Sequence, residues 1–205
     1  MRLFSIKPTW SFRGRKFKGI RGWAGKPSHP PLTDFPIVCY ALAGAFDLIS
    51  FVAEDGSDVA RDFFRAATFV MVAGLVVSLG TALTGFWDWW KGLERDRSTG
   101  MIGRAKHTQV WRTVNWHASV MLTVTAIVIV CVIVRVSDFQ GSTGGLVLVL
   151  SLLAAALVLF GAAYGGTLVF DYQFNVEPLK GSTVWDETEV DQLPGDRTKP
   201  QPPTS

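Results

Sequence analysis

Four long apolar runs constrain this chain more than any other feature. They extend over about Phe35 to Ala53, Ala66 to Trp87, Trp116 to Val134 and Leu146 to Phe170, each near the roughly 20 residues that a helix needs to cross hydrocarbon. A soluble helix would alternate apolar and polar faces. The third run, Ser119-Val-Met-Leu-Thr-Val-Thr-Ala-Ile-Val-Ile-Val-Cys-Val-Ile-Val134, is instead apolar all round, as a lipid-exposed helix should be. The expected fold is an all-α integral membrane protein, an up-down four-transmembrane-helix bundle.

Orientation follows from lysine and arginine. Arg2, Lys7, Arg13, Arg15, Lys16, Lys18, Arg21 and Lys26 precede the first span with no acid before Asp34, and the connection between spans two and three adds Lys91, Arg95, Arg97, Arg104, Lys106 and Arg112. The remaining connections are acidic to balanced. The positive-inside rule then places both termini in the cytoplasm, in a cytoplasmic-membrane protein.

Residues 1–30 are basic and interleaved with Phe4, Trp10, Phe12, Phe17 and Trp23. They lack the apolar core of a signal peptide and suit a juxtamembrane segment on anionic lipid rather than a nucleic-acid contact. Residues 31–176 form the transmembrane domain. From Glu177 onward, acids among Pro178, Pro194, Pro200, Pro202 and Pro203 are expected to be disordered. Cys39 and Cys131 belong near opposite ends of their spans, too far apart for a disulfide. Without Cys-x-x-Cys spacing, an iron–sulfur cluster or structural zinc within the chain is not expected.

Small residues mark close approach of membrane helices. Gly74 and Ser78 in the second span and Gly161, Gly165 and Gly166 in the fourth predict that these two spans pack on each other.

The candidate chemistry lies in histidines, since imidazole titrates and binds metals or haem near neutral pH. His29, His107 and His117 all fall on the basic side of the membrane. His29 precedes the first span, with Pro30 and Pro31 stiffening the chain, Thr33 or Asp34 available as a cap and Pro36 suited to the first helical turn. His117 opens the third span level with Asp88, which can accept its N–H and orient it. His107, roughly 80° from His117 if both were on one helix, belongs to the basic loop. Asp47 falls inside the first span and needs a partner such as Arg65 or Arg135.

Several motifs together resemble a known family: His29-Pro-Pro-Leu, Phe35-Pro-Ile, Phe46-Asp-Leu, Gly85-Phe-Trp-Asp88, His117, and Gly165-Gly-Thr-Leu-Val169. From about Ser28 to Val176 the chain resembles the bacterial membrane proteins catalogued as domain of unknown function 2231. The resemblance implies a compact four-span protein, and the occurrence of related domains joined to Rieske-type modules implies a redox setting. Where that family commonly has a histidine after Gly-Gly-x-Leu-Val, this chain reads Phe170-Asp-Tyr-Gln-Phe174.

The residues thus admit a redox subunit binding one b-type haem, or a quinone, through His29, His117 and Asp88. Two haems stacked across the bilayer would need four axial histidines, and the chain has three. An accessory subunit docking on other membrane or redox subunits, or on a second copy of itself, needs no cofactor. A small ion or metabolite transporter could use Asp47 with Asp88 and His117, although no internal repeat supports it. A metal site of His29, His117 and Asp88 matches no recognised ligand spacing. No serine or cysteine beside a histidine suggests a catalytic nucleophile.

Overall fold

The computed structural model describes residues 27–98, 108–137, 139 and 141–175. Residues 1–26, His107 and the acidic tail lie outside the described residues. The described chain is helical throughout: α1 His29–Val52, α2 Asp58–Ser98, α3 Gln109–Val136 and α4 Gly145–Gly166, the last continuing as a π-helical turn over Thr167–Asp171. All four are long and apolar enough to cross a membrane. The 41 residues of α2 give a helix about 60 Å long, well beyond the hydrocarbon thickness of roughly 30 Å.

α1 begins before the apolar run because prolines can form its first turn, where no N–H is required. His29 is therefore the first residue of the helix. Neither Thr33 nor Asp34 caps it; the helix starts after Ser28, and the Thr33 hydroxyl donates to the Pro30 carbonyl at 2.6 Å. Pro36 lies inside the helix rather than at its start. Its missing N–H leaves the Leu32 carbonyl without its usual helical donor. The Thr81 hydroxyl of α2, whose one proton also faces the Val77 carbonyl of its own helix at 3.1 Å, reaches that carbonyl at 3.3 Å, so the break in α1 becomes a shared tie to α2. At the start of α3, the Thr108 side chain accepts the Trp111 N–H, which carries the helix two turns ahead of His117.

α1 packs on α2 and α4, and α3 packs on α4 and more lightly on α2. The expected pairing of the second and fourth spans is therefore incorrect, since α2 and α4 stand diagonally across the bundle. Each small face meets a different neighbour. A Cβ on Gly74 would lie 2.7 Å from Cβ of Cys39 in α1, and Ser78 shares a 2.7 Å hydrogen bond with the Tyr40 hydroxyl. Gly161 would meet Met121 of α3 at 2.8 Å, and Gly165 would meet His117 at 3.2 Å, whereas Gly166 has only Phe170 near it, at 3.9 Å. Small residues predict close approach but not which helix approaches.

One end of the bundle is held by a buried polar cluster. Arg135 of α3 forms an ion pair with Asp47 of α1, both side chains being fully buried, while Arg65 lies over the Phe139 ring. Arg135 also donates to the Thr68 hydroxyl of α2 at 3.3 Å and to Cys131 Sγ at 3.4 Å, and its guanidinium lies over the Phe64 ring. Thr143, just before α4, donates its hydroxyl to Asp47 at 3.0 Å and its N–H to Ser50 at 3.1 Å. α1, α2, α3 and the residues leading into α4 thus meet around one ion pair. Asp47→Ala should lower stability by about 3–5 kcal/mol because it strands a buried guanidinium. The double change Asp47→Leu with Arg135→Leu should lose less than the single one. Thermal unfolding in detergent measures both, and an equal loss would contradict the pairing.

Candidate functional site

At the end opposite Asp47 the helices separate around a cavity of about 740 Å³, within the roughly 300–1,000 Å³ typical of ligand pockets. All four helices line it. Tyr40, Ser78 and Val124 line its inner end, and beyond them Ala43, Ala67, Met71, Val128 and Ala154 form an apolar core between the cavity and the Asp47 cluster. Among the described residues, no hydrogen bond links Asp47 directly to either Asp88 or His117.

His29 and His117 face this cavity from α1 and α3, with ring centroids 6.2 Å apart and planes at 80°. Both rings are held by the same local arrangement. Nδ1 of His29 bonds the Thr81 carbonyl at 3.0 Å, and Nδ1 of His117 bonds the Gly161 carbonyl at 2.9 Å. A carbonyl can only accept, so each Nδ1 carries a proton, and in the neutral ring Nε2 keeps the lone pair. In both cases the residue one turn after the carbonyl is glycine: Gly85 after Thr81, and Gly165 after Gly161.

Helical side chains lean toward the N-terminus, over the preceding turn. A side chain at either glycine would therefore cover the carbonyl that the imidazole uses. A Cβ on Gly85 would lie 2.7 Å from Cε1 and 3.0 Å from Nδ1 of His29, and one on Gly165 would lie 3.2 Å from Cε1 of His117. The sequence signal for this arrangement is Thr81-x-x-x-Gly85 and Gly161-x-x-x-Gly165, each opposite a histidine of another helix. Reading the glycines as helix-packing residues missed it.

Asp88 lines the cavity but does not orient His117; the Gly161 carbonyl does that instead. Asp88 accepts a 2.7 Å hydrogen bond from the Asn175 side chain. Depth along the membrane is legible in a sequence, but rotation about the helix axis is not, and that rotation turns the carboxylate toward the end of α4. Asn175 reaches it through the π-helical turn and two residues of positive φ, Gln173 at 50° and Asn175 at 58°. The Phe174 N–H closes this turn on the Leu168 carbonyl at 2.8 Å. The three-ligand metal site of His29, His117 and Asp88 does not assemble, since no group of three or more potential ligands comes together among the described residues.

These features define a multi-pass membrane protein with an apolar cavity bearing two oriented imidazoles. The chain belongs to the predicted membrane proteins of domain of unknown function 2231 (DUF2231), whose profile matches residues 25–178 and so covers all four helices. No curated protein and no solved structure gives a significant match.

Gly85→Ala should destabilise the protein by about 1–3 kcal/mol by overpacking the His29 ring. Gly80, with nothing within 4 Å of an added Cβ, is the control, and Gly80→Ala should be neutral or stabilising by up to about 1 kcal/mol. Thermal unfolding of the two variants compares them; equal behaviour would contradict the tight seating of His29.

Proposed function

We propose that this protein is a redox-associated subunit of a membrane complex and holds one b-type haem between His29 and His117. The observation that carries the reading is the spacing and tautomer of the two imidazoles. His29 and His117 come from different helices and line one cavity, so they would be the residues to hold an iron between them. The two rings stand 6.2 Å apart. With Nδ1 committed to a carbonyl, the neutral form of each ring keeps its lone pair on Nε2, the form that ligates iron.

The same tautomer disfavours a quinone at this position. A quinone carbonyl needs a donor, and an Nε2 with a lone pair offers none. When bound, haem would supply one-electron transfer. The chain's own part is to orient the imidazoles through Thr81 and Gly161, to keep their approach open through Gly85 and Gly165, and to exclude water with the apolar wall. Asp88 contributes here by tying α2 to the end of α4, not as a ligand.

The charge bias of the sequence assigns this end to the cytoplasmic side. A single haem there cannot carry electrons across the bilayer alone, so exchange requires a partner subunit, soluble or membrane-bound. The basic segment 1–26 and the acidic tail are suitable docking elements by charge. Purified wild type should contain one haem per chain by pyridine haemochrome assay, and His29→Ala and His117→Ala should each lose most of it, while Asp88→Ala retains it. Haem retained at wild-type stoichiometry in both histidine variants would overturn the assignment.

A further inference from the structure

We infer that the cavity is loaded from the lipid phase, through a lateral window between α2 and α3, and that its ligand is a molecule that partitions into membranes. The identity of that ligand as haem rests on the preceding reading; the window does not.

Two of the four seams of the bundle, α1 with α2 and α3 with α4, are closed by close contacts beside the cavity, and the α1–α4 seam is closed just beyond its inner end. Tyr40 bonds Ser78 across α1 and α2, a Cβ on Gly44 would lie 3.1 Å from Ala155 across α1 and α4, and one on Gly161 would lie 2.8 Å from Met121 across α3 and α4. The fourth seam, α2 with α3, is bridged mainly near its ends. Arg135 reaches Thr68 at one, and Trp89 Nε1 donates to Asn115 at 3.3 Å at the other. Between those ties the seam borders the cavity.

Residues along this seam belong to two surfaces at once. Phe86 continues the lipid-facing stripe of Val76, Leu79 and Leu83 on α2, and Leu122 belongs to the stripe of Ile129 and Ile133 on α3. Phe86 is 58% exposed and Leu122 65% exposed, yet both line the cavity, together with exposed Ala82 and Ser119; of its other lining residues only Asp34 of α1 and Phe170 of the π-helical turn are exposed, and these are not joined along one seam. The cavity therefore reaches the lipid face between these helices. Its membrane-end side, by contrast, is crossed by the Trp89–Asn115 and Asn175–Asp88 hydrogen bonds. An apolar opening toward lipid and polar ties across the end favour a ligand already dissolved in the bilayer.

Cavity labelling without haem tests this independently of the haem reading. The full chain carrying Cys39→Ser, Cys131→Ser and Ala118→Cys is placed in phosphatidylcholine vesicles and treated with lipid-soluble pyrene maleimide, or with a cationic methanethiosulfonate added on both sides. The maleimide should react at least tenfold faster. Leu122→Trp, and separately Ala82→Trp, should slow it several-fold, while Asn175→Ala leaves the cationic reagent slow. The inference is overturned if the cationic reagent reacts as fast, if neither tryptophan slows the maleimide, or if neither reagent labels the cavity. A chain that passes these tests yet binds no haem would refute only the haem assignment.

Discussion

The Asp47–Arg135 pair is the interaction on which the rest of this architecture depends. A charge inside the hydrocarbon region is tolerated when it is paired and its remaining polar atoms are satisfied. Here the pair recruits Thr68 and Thr143, so α1, α2, α3 and the residues leading into α4 are tied at one end. A bundle clamped at one end can separate at the other without losing register. The apolar core between Tyr40 and the clamp divides a closed half from a half that encloses a cavity.

Within the open half, helix backbone rather than side chains positions the imidazoles. Both histidines use a carbonyl of a neighbouring helix, one turn before a glycine, although the two neighbours are different helices. Pro36 strengthens the first of these arrangements indirectly. It frees the Leu32 carbonyl for the Thr81 hydroxyl, and the carbonyl of the same Thr81 receives His29. A residue that ordinarily weakens a helix here aligns α1 with α2, so that the His29 imidazole and its acceptor are set by one contact.

Much of this was legible in the sequence. Uniform apolarity gave four helices, and the placement of His29 and His117 at matching span ends gave their common depth. Asp47 had to find a cation, and Arg135 was one of two within reach. What was not legible is rotation and neighbour choice. The small residues Gly74, Ser78, Gly161 and Gly165 announced close contacts, but their partners are α1 and α3 rather than one another. Asp88 lines the same cavity as His117 but bonds Asn175. Asn175 itself was missed because its position depends on a π-helical turn and two positive-φ residues, which leave little trace in composition.

The central claim is that two crossed imidazoles hold one iron. Low-temperature electron paramagnetic resonance of the oxidised, purified protein addresses it directly, because the anisotropy of a low-spin ferric signal depends on the angle between axial imidazole planes. With the rings at 80°, the account predicts a highly anisotropic low-spin signal. A preparation with no ferric haem signal, or one dominated by high-spin iron lacking a second strong nitrogen ligand, would contradict it.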